Sequence, residues 1–290
     1  MTMTTNGSFK IDLHMHSTVS DGTDTPAQIY EKVAAKGIAI FSLSDHDAVK
    51  GSVELTRMVT GGGIRFITGA EFSCRDSEGK YHILAYHYDP ESEAINRIVE
   101  RGHAIRMSKV VKRIELLKQE FGYVFSPEDI EALMSLDNPG KPHIANMMVK
   151  YGYAENKEQA IRDYIDKLKY KKEYLAPEEA IRGILDAGGI PVLAHGPYGS
   201  GDELIIGDEL KERIKRLVGF GLQGLEGFYS GYTHKLRDQV LAIARDHDLY
   251  VTAGSDYHGR NKLVELGDTG LESPDEMPEG MSRFLAECLQ

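Results

Sequence analysis

Short apolar segments rich in β-branched residues recur along the chain, and each is followed by a polar or glycine-containing loop. These segments predict seven strands, at residues 9–13, 38–43, 64–68, 81–86, 190–194, 223–228 and 250–253. Several of the intervening stretches carry apolar residues at helical spacing. In one of them, Thr25 and Pro26 are typical of a helix start and Gly37 of a helix end. Strands that alternate with helices predict a parallel sheet, and seven strands favour a closed or nearly closed barrel.

Residues 91–172 break this alternation. They contain only helical patterns, at residues 91–120, 127–134, 142–150 and 157–168. We therefore predict a barrel domain formed by residues 9–90 and 173–290, interrupted by a helical insertion subdomain at 91–172.

Composition and charge narrow the class of protein. With 41% hydrophobic and 27% charged residues among 290, the chain is typical of a globular protein. A net charge of −11 argues against a surface for long nucleic acid. Two distant cysteines form no disulfide framework, and the polar first ten residues do not resemble a signal peptide. No stretch reaches 18 uninterrupted apolar residues. We expect a cytoplasmic protein without a membrane partner.

Histidines and carboxylates follow or lie within six of the seven predicted strands. Because the carboxyl ends of parallel barrel strands open on one face, we expect these side chains to converge there. In strand order they are His14 and His16, then Asp45, His46 and Asp47, then Glu71, His82, His195, and finally Asp256 and His258.

Such a set of side chains suits metal ions. His14 and His16 are two residues apart, so in a strand both side chains point to the same face. Imidazoles and carboxylates without thiolates suit Zn, Mn, Fe or Ni. Two or more such ions would lower the pKa of a bridging water to about 7 and neutralise phosphoryl charge. A single strand-end histidine is more often structural, and Asp12 and Asp45 could instead cap loops or orient imidazoles. Burying the whole set without metal would be costly.

The motifs around these residues resemble those of the PHP (polymerase and histidinol phosphatase) superfamily, and they occur in its order from about residue 9 to 260. They are Asp12-Leu13-His14-Met15-His16-Ser17, Ser20-Asp21-Gly22, Ser44-Asp45-His46-Asp47, Gly69-Ala70-Glu71, His82, Ala194-His195 and Gly254-Ser255-Asp256-Tyr257-His258-Gly259. The resemblance implies an α/β fold, a distorted (β/α)7 TIM-like barrel with a helical insertion, and a centre of two or three divalent metal ions (Mn, Fe or Zn).

The resemblance also implies a role for each metal ligand. One ion would be held by His14, His16, Glu71 and Asp256, a second by Glu71, His82 and His195, and a third by Asp21, His46 and His258. A hydroxide between the first two ions would attack phosphorus. The catalytic residues would be Glu71, His195 and Asp256, with His195 or Asp256 as the proton carrier.

The insertion and the segment Lys141-Pro142-His143-Ile144-Ala145 resemble the stand-alone phosphoesterase branch of the superfamily. That branch acts on nucleotides such as AMP, on 3′,5′-bisphosphonucleotides or on short oligonucleotide 5′ ends. Lys141 stands where this branch usually has arginine, and Lys is a point charge rather than a bidentate fork. We expect Arg106, Lys141 and His143 to bind substrate, although Arg106 could equally lie on a solvated helix face. For Arg113 the solvated face is the favoured interpretation.

Four other functions compete with hydrolysis of a nucleotide phosphomonoester. Two are enzymatic alternatives within the superfamily, a histidinol-phosphate phosphatase and a 5′-3′ exonuclease acting on short oligonucleotides. A third is an inactive metal-binding module, but all nine ligand positions are filled here. A fourth is an amidohydrolase, for which a strand-end lysine that could be carbamylated is missing.

Overall fold

The computed structural model describes residues 10–61, 63–136, 139–200 and 203–289. Within them, seven strands form a single sheet in the order β1-β2-β3-β4-β5-β6-β7. The strands are β1 (Lys10–Asp12), β2 (Ile38–Leu43), β3 (Arg65–Arg75), β4 (Lys80–Tyr86), β5 (Ile190–Leu193), β6 (Gly224–Tyr229) and β7 (Tyr250–Gly254). All seven predicted strands are present, and residue 9, the predicted start of the first, lies outside the described residues.

Ten α-helices are assigned among the same described residues, and together with the sheet they confirm the α/β class. Their bounds are α1 (Pro26–Ala35), α2 (Lys50–Met58), α3 (Glu93–Phe121), α4 (Pro127–Met134), α5 (Lys141–Lys150), α6 (Lys157–Gln159), α7 (Pro177–Asp186), α8 (Gly207–Phe220), α9 (His234–Asp246) and α10 (Glu279–Cys288). Helix α1 begins as expected. The Thr25 side chain accepts a hydrogen bond from Gln28 N, and the Gln28 side chain accepts one from Thr25 N.

The prediction of an all-parallel sheet is wrong for β4, which runs antiparallel to both β3 and β5. Strand β3 extends to Arg75, seven residues beyond its predicted end, and returns as β4 after a four-residue turn. The Asp76 side chain closes this turn by accepting hydrogen bonds from the amides of Glu78 and Gly79. So short a connection can join only antiparallel neighbours.

The described residues divide into two compact units, one within 1–99 and 175–290 and the other within 100–174. In the first unit, one large and one smaller apolar cluster form the core beside the sheet. The second unit, the helical insertion, has a separate core that includes Val110, Leu117, Phe125, Ile144 and Met148. Among the described residues, no helix combines the length and the apolar character needed to cross a membrane.

Candidate metal centre

Nine histidine and carboxylate side chains converge in the first unit. Four overlapping groups of them place potential ligand atoms within 4.8 Å of one another. These groups are His14 with His16 and Glu71; His14 with His195 and Asp256; His46 with Glu71 and His82; and His16 with Asp21, His46 and His258. The groups include all nine residues predicted as ligands.

The end of β1 supplies the first two imidazoles. His14 and His16 are fully buried, and their Nε2 atoms lie 3.1 Å apart. Met15, between them, packs in the smaller apolar cluster on the other side. The alternation of strand side chains therefore separates the polar centre from the apolar core.

The antiparallel direction of β4 explains the place of His82. This histidine lies near the start of β4, whereas the imidazoles of His14 and His195 follow the carboxyl ends of β1 and β5. Reversal of the strand brings its start opposite the carboxyl-terminal part of β3, where His82 pairs with Ser73. His82 Nδ1 consequently lies 3.0 Å from Glu71 Oε1.

Two further ligand candidates have backbones in the left-handed region. His195, directly after Ala194, has φ 27°, and Asp256, two residues after β7, has φ 58°. Residues other than glycine rarely adopt this conformation, and it persists where surrounding structure imposes it. Here it coincides with the turn of each side chain towards the centre.

Glu71 lies in the middle of the centre. Its Oε2 atom is 3.1–3.3 Å from nitrogens of His14, His16 and His46, and its Oε1 atom faces His82 and, at 3.3 Å, His195. Burial raises the pKa of the carboxyl group, but the imidazoles, His82 foremost, outweigh burial and hold it well below its usual range. Glu71 is therefore ionised and presents one oxygen to each of two histidine groups.

Asp21 marks a third part of the centre. Its Oδ1 atom lies 3.2 Å from His258 Nε2, and its Oδ2 atom lies 4.0 Å from His46 Nε2. The Asp21 side chain is 36% exposed, so this part is the more accessible to solvent.

The donor set fits divalent cations. Several buried polar atoms make no hydrogen bond of suitable geometry among the described residues, although some of them lie close to one another. They are both carboxylate oxygens of Glu71, Asp21 Oδ1, and Nδ1 of His16, His82 and His195. Unpartnered polar atoms are costly to bury. Imidazole nitrogens and carboxylate oxygens at these mutual distances are suitable ligands for Zn, Mn or Fe.

Glu226, in the interior of β6, was not predicted to belong to the site. Its Oε1 atom lies 2.8 Å from His14 Nδ1, and its Oε2 atom accepts a hydrogen bond of 2.7 Å from His195 N. A carboxylate on Nδ1 leaves the Nε2 atom of His14 facing the centre. The sequence signal was a lone charge in the buried segment Gly224–Tyr229.

Asp12 and Asp45 fit the loop-capping interpretation. Asp12 accepts hydrogen bonds from Ser255 N and Oγ and from Gly267 N. Burial raises its pKa to about 6, against the lowering effect of these bonds. Asp45 accepts hydrogen bonds from the hydroxyls of Ser17 and Ser20, and so holds the loop that leads to Asp21.

The predicted substrate residues lie in the second unit, around the start of α5. Gly140 N donates to His143 Nδ1 over 3.1 Å, and Lys141 Nζ lies 2.5 Å from Asp166 Oδ1. The Arg106 guanidinium is beside Gly140, 3.6 Å from the position that a β-carbon would occupy. The solvated face favoured for Arg113 is wrong, because this residue is only 7% exposed.

The family profile that matches this chain is the PHP domain, over residues 12–177, which is more than half of the sequence. The chain belongs to the PHP family. His195, Asp256 and His258 lie beyond the matched residues, but the structure places them in the same centre as His14 and His16.

Similar proteins of comparable length support this membership. The chain is 29% identical to a 5′-3′ exoribonuclease of Haemophilus influenzae, over 89% of this chain and 93% of that protein. It is 30% identical to a 3′,5′-nucleoside bisphosphate phosphatase of Chromobacterium violaceum, over 86% and 87%. A solved structure from Bifidobacterium adolescentis, provisionally described as a metal-dependent phosphoesterase, has a TM-score of 0.80 and 29% identity over 98% of both chains.

At the level of enzyme class, these findings confirm the prediction of a metal-dependent phosphoric ester hydrolase of the PHP family. They confirm divalent metal dependence without fixing the metal or the number of ions.

Proposed function

We propose that this PHP protein hydrolyses a phosphomonoester of a nucleotide, of the AMP or 3′,5′-bisphosphonucleotide type. The observation that carries the proposal is Glu71, a buried carboxylate whose two oxygens face separate histidine groups. With this arrangement, Glu71 could be a ligand shared by two cations that together bind a phosphoryl group. The 30% identity to a nucleoside bisphosphate phosphatase supports the substrate class.

The proposed ligands are those implied by the family. His14, His16, Glu71 and Asp256 would hold one cation; Glu71, His82 and His195 a second; and Asp21, His46 and His258 a third. When bound, divalent cations supply Lewis acidity that neutralises phosphoryl charge and makes water a nucleophile near neutral pH.

Of the two proton carriers considered, the geometry favours His195. Both oxygens of Asp256 are engaged, since Oδ2 accepts from Tyr229 Oη and Oδ1 faces His16. His195 Nδ1, by contrast, is buried without a hydrogen-bond partner among the described residues. We propose that His195, when it does not bind the second cation, carries the proton of the leaving oxygen, while Glu71 and Asp256 remain ionised ligands.

We propose that Arg106, Lys141 and His143 recognise the nucleotide. Two cationic side chains beside the amino end of α5 make a favourable site for phosphate. The ion pair of Lys141 with Asp166 does not oppose this role. Both side chains are about 40% exposed, and such pairs contribute little stability.

The deciding experiment is phosphate release from a substrate panel. It contains AMP, 3′-AMP, adenosine 3′,5′-bisphosphate, histidinol phosphate and a 5′-phosphorylated trinucleotide, each assayed with Mn²⁺ and after chelation. We expect chelator-sensitive release from at least one mononucleotide. Release from histidinol phosphate alone, or from none of the panel although metal is bound, would overturn the proposal.

A second candidate is 5′-3′ exonuclease activity on short oligonucleotides. It is favoured by the exoribonuclease relative and by the distribution of charge. Basic residues outnumber acidic ones in residues 100–174, although the chain as a whole carries −11. Residues 100–174 therefore lack the acidic excess of the rest of the chain, which would repel successive phosphates. Release of mononucleotides from the trinucleotide, at a rate above that of AMP hydrolysis, would select this activity.

Three further predictions are kept as proposals. The first is closure of the sheet into a distorted (β/α)7 barrel, supported by a 2.8 Å hydrogen bond from Leu13 N to Ala253 O and by pairing of Met15 with Tyr257. The second is the division into residues 9–90 with 173–290 and 91–172. The third is a cytoplasmic location, supported by two buried free cysteines.

A further inference from the structure

Lys262 contacts the metal centre from outside the set of predicted site residues. It follows a short 3-10 turn, Gly259–Asn261, after β7. Its Nζ atom contacts Asp256 Oδ2 directly and lies 3.0 Å from Tyr229 Oη. Tyr229 Oη in turn donates to the same Oδ2 atom over 3.0 Å. Two donors thus converge on one oxygen of one proposed ligand.

The two oxygens of Asp256 have different surroundings. Oδ1 lies 3.4 Å from His16 Nε2, 3.4 Å from His258 Nδ1 and 3.6 Å from His14 Nε2. Oδ2 faces Lys262 and Tyr229. A carboxylate can turn about its terminal torsion, and this torsion has broad, roughly two-fold preferences. Donors on one oxygen select the orientation in which the other faces the histidines.

We propose that Lys262, assisted by Tyr229, is a positioning residue that fixes Asp256 with Oδ1 directed at the metal centre. The inference rests on the proposed function, because it assigns Asp256 to a metal ion. Partners that orient a ligating carboxylate typically change metal affinity by 10–100-fold when they are removed.

Two competing roles for Lys262 predict other effects on metal affinity when the side chain is removed. If its charge acted only by repelling nearby cations, its removal would tighten metal binding. If it bound only the phosphate of the substrate, its removal would raise KM and leave metal affinity unchanged. A positioning role predicts weaker metal binding in the absence of any substrate.

The test compares metal retention in the full-length protein. Wild type, Lys262→Met, Lys262→Arg and Tyr229→Phe are loaded with Mn²⁺ and titrated with a chelator, and retained metal is measured by mass spectrometry. The matched control is Lys36→Met. Lys36 also pairs with a carboxylate, that of Glu265, and is similarly exposed, at 38% against 34% for Lys262. Thermal unfolding of the chelated proteins verifies folding.

We expect Lys262→Met to weaken retention of one ion by roughly 10-fold, at the lower end of the range because Tyr229 still donates. We expect Lys262→Arg to retain most of the affinity for Mn²⁺ and Lys36→Met to match wild type. The affinity of Tyr229→Phe should lie between those of Lys262→Met and wild type.

Unchanged or tighter binding by a folded Lys262→Met variant would overturn the proposal, as would a rise in KM alone. If this variant does not fold, Tyr229→Phe decides in the same assay. Removal of one hydroxyl must then weaken retention. Failure of the wild type to bind any metal would instead refute the proposed function.

Discussion

At the scale of single residues, the proposed metal centre combines side chains that would bind cations with side chains that hold those ligands in place. Glu71 belongs to the first kind, because both of its oxygens face imidazoles. Glu226 belongs to the second, since it binds the far nitrogen of His14 and the backbone of His195. Substitution of Glu71 should therefore lower turnover, whereas substitution of Glu226 should lower metal affinity.

Glu71→Gln tests the bridging role. The amide cannot supply two anionic oxygens, so we expect turnover to fall by roughly 100-fold or more, as for loss of other transition-state electrostatic groups. The measurement is kcat on the best substrate of the panel at saturating Mn²⁺. Glu265→Gln, which changes an exposed carboxylate paired with Lys36, is the control. Near-normal turnover of Glu71→Gln would refute the bridging role.

Glu226→Gln tests the orientation of His14. The substitution preserves the size of the side chain and removes its charge from His14 Nδ1. We expect affinity for Mn²⁺ to fall by about 10–100-fold, with the fold retained. Chelator titration followed by metal analysis measures the effect, and circular dichroism verifies the fold. Retention equal to that of wild type would show that Glu226 is only a structural residue.

At the scale of elements, the sequence predicted the strands better than their directions. Buried β-branched segments such as Ile38–Leu43 were identifiable because both faces are covered. The direction of β4 depends on the tight turn after Arg75. In the sequence, only Asp76 and Gly79 indicate this turn, and they lie among other polar residues. Strand-end histidines were identifiable by position. Glu226 was not, because its partners come from β1 and β5, far away in sequence.

Helices α2 and α10 were not predicted, because their local sequence signals are weak. Helix α2 begins at Lys50 without a side-chain cap and contains Gly51, and α10 begins after Pro278 without one. Glycine and a missing cap lower the intrinsic preference for helix. Burial of Leu55 in α2 and of Phe284 in α10 indicates that tertiary packing stabilises both helices.

Helix α1 shows the opposite case, in which the local signal is strong and testable. Thr25→Ala removes the hydroxyl that accepts from Gln28 N. We expect the free energy of unfolding to fall by about 1 kcal/mol. Urea denaturation measures this change, and Thr25→Ser, which keeps the hydroxyl, should restore most of it. Equal loss in both variants would place the effect in the methyl group instead.

At the scale of the whole molecule, the proposed metal centre connects most of the sheet in the first unit. Its nine residues come from segments between His14 and His258, so cations bound there would connect parts of the chain that are distant in sequence. Ligands that bind only the native state stabilise it in proportion to the logarithm of their concentration. Metal should therefore stabilise the whole unit.

The two cysteines can report this stabilisation. Cys74, in β3 three residues after Glu71, and Cys288, in α10, are buried. Burial raises the pKa of Cys74 well above its usual range and that of Cys288 to about 12. At pH 8 the native thiols are thus protonated and covered, and a disulfide reagent reacts only after opening. Because the folded pKa values are raised, the contribution of these two thiols to stability is constant well below pH 9 and falls above it, where only the unfolded thiols lose protons.

We expect Mn²⁺ to slow labelling of both cysteines at pH 8 in moderate urea. At a metal concentration 100 times the dissociation constant, one site contributes about 2.7 kcal/mol, equivalent to roughly 100-fold less of the open form. Labelling of the two thiols, followed by mass spectrometry with and without chelator, measures the ratio. Glu71→Gln is the comparison, since its labelling should depend less on Mn²⁺ than that of wild type because the ligand shared by two of the proposed ions is lost. If wild type were labelled equally fast with and without Mn²⁺, cations would not be bound preferentially by the native centre. Slower labelling of Cys74 alone would mean that metal protects β3 locally without stabilising the unit that contains α10.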